Sequence, residues 1–327
     1  MVSIVISSRV DQYLQKTVDD LLQKAEGEIE IIVVLDGYWS DPMLKDDPRV
    51  ILVHHGEFHD NFGMRASISA GIRVAKGEYI FQIDEHCMVD QGYDVKLAAD
   101  CEDDWVVIPR RYRLDAEKWD WTINTEGDRR PPIDYMYIEY PYVKKRPDGY
   151  FDKTQGLHGA IWNRPDRDHL EIDDTPTMQG SCYFLKKSYW DKLFPNGMED
   201  DKYGPFTQEA QEISMKVWLS GGRVVVNKKT WYAHLHKGKS GKGYGFNRKQ
   251  YLNKCEWDER GRLYCINHWL YTKDYKYDFN WFVTEKFPDM PGWSKDWLER
   301  VKIDREKDYS ALGYKDDEWL INLRKNG

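Results

Sequence analysis

The chain lacks a long apolar run. No stretch of its 327 residues approaches the roughly 18–20 apolar positions that a membrane-spanning helix needs. The opening MVSIVISSRV is too short and too β-branched for a secretory signal and reads as a first strand. Cysteine is scarce: Cys87, Cys101, Cys182, Cys255 and Cys265 are odd in number and show no CxxC spacing. That argues against a disulfide framework or a zinc site and for a reducing compartment. The expectation is a cytoplasmic protein, of a bacterium or a virus-infected cell, with no membrane span. Net positive charge is also missing. At −8, the chain has no general attraction to nucleic acid, although basic residues gather at Arg110–Arg113, Arg129–Arg130, Lys144–Arg146 and Lys237–Lys249. There is no internal repeat, low-complexity tract or evident linker. What is present is a 41% hydrophobic fraction and enough length for one large domain or two modest ones.

The first hundred residues alternate strand and helix. Val2–Ser7 is a β-branched run. Leu14, Val18, Leu21, Leu22 and Ala25 recur at helical spacing over residues 11–25, and Gly27 ends the segment. Ile29–Leu35 is apolar except for Glu30, as a strand buried on both faces would be. Val50–His54 and Tyr79–Ile83 read as strands and Arg65–Ala75 as a helix. This order predicts an α/β fold with a mostly parallel sheet flanked by helices. Further on, Trp105–Pro109, Gln179–Leu185, Arg223–Asn227 and Trp231–His236 read as strands. Gln208–Ser220 reads as a helix stopped by Gly221-Gly222. Residues 110–175 lose periodicity and read as a long excursion, which is often functional. The end of the chain is Trp-rich, with Trp269, Trp281, Trp293 and Trp297 on expected short helices. The predicted organisation is a catalytic domain over 1–245, divided at 100/101, with a helical extension over 246–327 packed on it.

The Tyr79–Ile83 strand runs into Asp84-Glu85-His86. Side chains alternate along a strand, so Asp84 and His86 share one side and Glu85 takes the other. A carboxylate and an imidazole in that arrangement suit Mn²⁺ or Mg²⁺, and such an ion neutralises a diphosphate leaving group. Open α/β sheets bind ligands at the carboxyl ends of their strands, where Asp36 and Asp84 both fall.

Four segments resemble the GT-A glycosyltransferases, and among them the polypeptide N-acetylgalactosaminyltransferases. These are VSIVISSRVDQYLQKTVDDLL, EIIVVLDG, GMRASISAGIRVAKGEYIFQIDEHCMVDQGY, and PTMQGSCYFLKKSYW with the following QEAQEISMKVWLSGG and AHLH. The resemblance covers about residues 2–100 and 175–240. It implies a metal-dependent transfer of a sugar from a nucleotide-sugar, a UDP-sugar first, to an acceptor hydroxyl, with configuration retained. It also implies residue roles. Asp36 would contact the base, and Arg65 the diphosphate. Asp84, His86 and His234 would bind the ion, with His236 a rival to His234. Gly180 would approach the donor sugar, and Glu209 would lie near sugar and acceptor with Glu212 on the same helix face. Two departures, Leu35 before Asp36 and Gln179-Gly180-Ser181 in place of a glycine pair, bear on the donor sugar.

Gly238-Lys239-Ser240 looks like the end of a phosphate-binding loop, but Ala233 stands where that motif needs its first glycine. The reading preferred is a basic, Gly-rich loop that closes over the diphosphate through Lys237 and Lys239. The acceptor stays open between a saccharide or protein hydroxyl and a hydroxymethylated pyrimidine in DNA. The DNA reading draws on the basic stretches interleaved with aromatics. A non-catalytic nucleotide-sugar-binding protein is the remaining alternative.

Overall fold

A computed structural model of the chain describes residues 1–9, 12–122, 130–141, 156–198, 200–204, 206–235 and 255–311. The apolar and β-branched runs become strands β1 (Val2–Ser8), β2 (Ile29–Asp36), β3 (Val50–His55), β4 (Tyr79–Ile83), β5 (Cys87–Val89), β6 (Trp105–Asp115), β7 (Asp120–Trp121), β8 (Met136–Ile138), β9 (Gly159–Ile161), β10 (Ile172–Asp174), β11 (Cys182–Lys186) and β12 (Arg223–His234). The helices are α1 (Leu14–Lys24), α2 (Met64–Val74), α3 (Tyr93–Ala99), α4 (Lys187–Leu193), α5 (Asp200–Tyr203), α6 (Glu209–Ser220), α7 (Cys255–Tyr271), α8 (Phe279–Trp281) and α9 (Trp297–Ala311).

The main sheet runs β10-β12-β6-β11-β4-β1-β2-β3, with β5 added to β12 and β7 to β6. Strands β4, β1, β2 and β3 are mutually parallel, as are β6 and β12. Between these groups, β11 is antiparallel to both β4 and β6. The two parallel groups therefore point the same way. The carboxyl ends of β2, β4, β6 and β12, and the amino end of β11, all meet at one edge of the sheet. That edge is where an open α/β sheet holds its ligands.

Alternation of side chains sends successive strand residues into two cores. On one face Ile4, Ile31, Val33 and Phe81 pack against Leu14, Val18 and Leu21 of α1 and Leu97 of α3. On the other, Val5, Ile32, Ile80 and Tyr183 pack against Ile68 and Ile72 of α2, Trp190 of α4, and Ile213 and Val217 of α6. Trp269, Phe279, Phe282, Trp293 and Trp297 from the C-terminal region join this second core. The expected Trp-rich extension thus packs on the sheet's own helices. Helix α6 is buried from Glu209 to Leu219, so it carries no polar face. Gly221 closes it at φ 96°, a left-handed cap that favours glycine.

Two expectations about strands are revised. Strand β6 continues past Pro109 to Asp115, and β12 is one strand from Arg223 to His234 rather than two. Pro109 stands opposite Asn227, where the register shifts before resuming at Trp231. A residue without an N–H is tolerated at such an irregularity, so the pairing continues across it.

Candidate functional site

The site begins with β4. Its last backbone step is fixed by the Asp84 amide donating to the Ser181 carbonyl at 2.9 Å. The next turn is held from α1, where the Thr17 hydroxyl donates to the Glu85 carbonyl at 3.0 Å and accepts from the Cys87 amide at 3.1 Å. Strand β5 then pairs with the end of β12, and the Leu235 amide donates to the His86 carbonyl at 3.2 Å. These bonds bring together two histidines 148 positions apart. His86 Nε2 and His234 Nε2 lie 3.0 Å apart, with Asp84 Oδ2 at 3.2 Å from the His234 nitrogen and 3.7 Å from the His86 nitrogen. Both imidazoles are buried, and Asp84 is partly open to solvent. Donors about 2.0–2.1 Å from an octahedral ion sit about 3 Å apart when adjacent, so the triangle has the size of one face of such an ion's shell. Its oxygen–nitrogen composition suits Mn²⁺ or Mg²⁺. The three residues named from sequence for a metal are the three brought together.

Asp84 and His234 line a cleft of about 360 Å³, walled by Met136, Gly159, Gly180, Ser181, Gln208 and Glu209 among others. Glu209, the first residue of α6, is 3% exposed. Its Oε1 accepts from the Tyr183 hydroxyl at 2.9 Å, and its Oε2 has no hydrogen-bond partner. Burial pushes its carboxyl up to about 8, with the Asp84 charge adding to the shift and the Tyr183 bond opposing it. Gly180 is explained by this carboxylate: a Cβ there would come within 2.7 Å of Glu209 Oε2. Gln208, at the start of α6, adopts φ 59°, which costs a non-glycine residue about 1–3 kcal/mol. Its side-chain oxygen accepts from the Leu157 amide at 3.0 Å. Backbone strain of this kind has no signature in sequence. Tyr183, Met136 and Gln208 were missed by the sequence reading for that reason and because their roles come from packing.

Other expected site residues are placed differently. Asp36 is 2% exposed and turned inward. Its oxygens accept from the Phe62 and Gly63 amides at 2.9 and 3.0 Å, and Arg9 lies 3.5 Å away. It ties the segment before α2 to the end of β2, so its carboxylate is not presented to a base. Arg65 is wholly buried. It pairs with Glu212, donates to the Thr207 carbonyl at 3.2 Å and stacks on Tyr203. Glu212 also meets Lys216 at 3.0 Å, so it closes a buried clasp between α2 and α6 and does not line the cleft. Arg65 and Glu212 are thus engaged with each other and with Lys216 rather than placed on the cleft lining. Residues 84–86 form the turn between β4 and β5 rather than a continuation of the strand, and there Glu85 pairs with Ser8. Lys237, Lys239 and His236 lie outside the described residues. A second cleft, of about 280 Å³ against β10, is walled by the closed ion pairs Arg164–Asp166, Arg167–Asp173 and Lys286–Asp174.

Comparison with known proteins agrees with this geometry. Residues 3–194 match the glycosyl transferase family 2 model. The putative polypeptide N-acetylgalactosaminyltransferase 13 of Drosophila melanogaster is 23% identical over 259 residues, 72% of this chain and 42% of that protein. Polypeptide N-acetylgalactosaminyltransferase 14 of Homo sapiens is 23% identical over 233 residues, 69% of this chain and 38% of that protein. The chain thus spans about two fifths of the length of these relatives. A crystal structure of GalNAc-T7 with UDP, GalNAc and Mn²⁺ superposes with a TM-score of 0.58 at 15% identity, covering 93% of this chain and 55% of the other. That likeness bears on the fold, which is of the GT-A type. With its family match running over more than half of its length, the chain belongs to glycosyl transferase family 2.

Proposed function

We propose that the chain transfers a sugar from a nucleoside-diphosphate sugar, a UDP-sugar first, to an acceptor hydroxyl, using a divalent ion held by Asp84, His86 and His234. The observation that carries this is the triangle of three ligand atoms at the mouth of a cleft, on the ligand-binding edge of the sheet. When bound, Mn²⁺ or Mg²⁺ would neutralise charge on the departing diphosphate. The likeness to polypeptide N-acetylgalactosaminyltransferases, and to a GalNAc-T7 structure that holds UDP and Mn²⁺, supports this donor and metal.

The protein's own groups supply the rest. Asp84, His86 and His234 would hold the ion through their clustered oxygen and ring nitrogens. Tyr183 orients Glu209, whose second oxygen is left for a substrate hydroxyl. A carboxyl raised to about 8 carries its proton at neutral pH and is a poor general base there, which favours Glu209 as a hydrogen-bonding group for the sugar and retention of configuration. Lys237 and Lys239 are proposed to close over the diphosphate. For the acceptor, a saccharide or protein hydroxyl is preferred. Among the described basic residues behind the DNA alternative, Arg110 is closed on Asp134 by two hydrogen bonds of 2.8 and 2.7 Å.

The test is a screen of nucleotide-sugars with Mn²⁺, read by release of the nucleoside diphosphate. Release with one donor, abolished by chelator and by Asp84→Asn, is the expected result. Tight nucleotide-sugar binding with no turnover under any condition would leave the binding-protein alternative in its place.

A further inference from the structure

Arg111 is 4% exposed and, among the described residues, meets no carboxylate. Its side-chain contact is weak: Nη2 lies 3.9 Å from the thioether of Met136, and Nη1 is buried without a hydrogen-bond partner. This sets it apart. Arg65, Arg110, Arg167 and Arg223 each meet an acid. A buried guanidinium normally keeps its charge only beside a compensating group.

Its position explains what that group is. Arg111 and Arg113 stand two apart on β6, opposite Tyr232 and His234 of the parallel strand β12. Neighbours in a parallel pair project to the same face, so both arginines flank the metal-binding histidine. The Arg111 contact Met136 lines the cleft, and Tyr232 reaches Ser181, another lining residue, at 2.9 Å. The guanidinium therefore lies behind the part of the cleft wall formed by Met136 of β8 and His234 of β12. Strands β1, β2 and β3, which form the other half of the edge, lie beyond β11 and β4. An anion bound at Arg111 is thus on the side of the ion opposite the nucleotide half.

We infer that the acceptor bears an anionic group, a carboxylate or a phosphate, which Arg111 and Arg113 bind at the β6 side of the cleft. This rests on the proposed transferase reading, since it takes the nucleotide half of the edge to be filled by donor. The guanidinium fork matches the two oxygens of either anion, and a partly dry setting strengthens the pairing. Met136, a flexible thioether, is the side chain that shifts to admit it.

The experiment uses the full chain saturated with UDP and Mn²⁺, so that the diphosphate and metal positions are filled. Calorimetric binding of glucuronate, glycerol 3-phosphate and uncharged glucose is then compared. The expected result is at least tenfold tighter binding of one anion than of glucose. Which anion wins separates carboxylate from phosphate. Arg111→Gln should remove the preference while UDP affinity holds, and Arg111→Lys should restore part of it. Arg113→Gln, at a half-buried position, serves if Arg111→Gln does not fold and should weaken the same anion several-fold. Equal binding of charged and neutral probes overturns the inference. So does a variant that loses UDP affinity along with the anion, because the arginines would then serve the diphosphate. Failure of UDP and Mn²⁺ to bind the wild-type chain would instead overturn the transferase reading beneath it.

Discussion

At the scale of single residues, the site divides into groups that ligate and groups that are tuned. Asp84 is the proposed ligand: it follows β4, is partly exposed, and its carboxylate lies 3.2 Å from the His234 and 3.7 Å from the His86 nitrogen. Asp84→Asn keeps the shape and the amide bond to Ser181 but removes the charge. Mn²⁺ affinity, titrated by electron spin resonance, should fall at least tenfold, while thermal stability without metal changes by less than about 1 kcal/mol. Retained Mn²⁺ affinity would remove Asp84 from the ligand set. Glu209 is tuned. Its folded value of about 8 lies above the ordinary 4.5, so the folded protein holds a proton that the unfolded chain has released. Between those values the native state binds more protons, and stability falls as pH rises across the window. Glu209→Gln abolishes this contribution. Urea midpoints at pH 5 and pH 8 should therefore fall less with pH in the variant, by up to a few kcal/mol. Parallel profiles for the two proteins would mean that Glu209 is ionised in the fold.

At the scale of elements, what sequence revealed and what it hid have physical reasons. The β1–β4 ladder was legible because fully buried parallel strands leave continuous apolar runs such as Ile31–Leu35. Asp84 and His86 were named from alternation along a strand, but they meet in the turn after β4 that Thr17 holds. His234 came only from the resemblance, since nothing local says that β12 ends beside β5. The burial of Arg65 and Glu212 was not legible, because a charge on a helix face does not reveal what packs over it. Their burial is a property of how α2 meets α6. The Arg111 side chain was hidden in the same way, as one member of a basic run. The α2–α6 clasp carries its own prediction. Arg65→Met keeps the volume but leaves Glu212 buried with Lys216 alone, at a cost of about 3–5 kcal/mol for breaking a buried pair. The denaturation midpoint should drop at unchanged slope. The double variant Arg65→Met with Glu212→Leu should recover part of the loss, because the buried carboxylate is gone and only Lys216, still bonded to the Leu193 carbonyl, has lost its acid. A single variant of wild-type stability would mean that the clasp is open in solution.

At the scale of the whole molecule, the C-terminal aromatics and the cleft are mechanically joined. The Trp293 indole donates to the Ile138 carbonyl at 2.7 Å, and its ring packs on Tyr140, Phe279 and Trp297. Ile138 ends β8, the strand that begins with Met136, and β8 pairs with β9, which begins with the cleft residue Gly159. The hairpin that walls the cleft is therefore braced by a tryptophan more than 150 positions later in the chain. Two consequences are testable together. Because the C-terminal aromatics share one core with α2, α4 and α6, unfolding followed by tryptophan fluorescence and by far-ultraviolet circular dichroism should give coincident midpoints, although chains of this size often unfold in stages. Trp293→Ala should lower that common midpoint by about 3–5 kcal/mol, the usual cost of truncating a large buried aromatic. At temperatures where the variant is still folded, its acceptor KM should rise more than its donor KM, because the hairpin and not the β1–β3 half has lost its support. Separate midpoints, with the fluorescence change first, would make the C-terminal region an independently melting unit, and equal changes in both KM values would show that the brace does not reach the cleft.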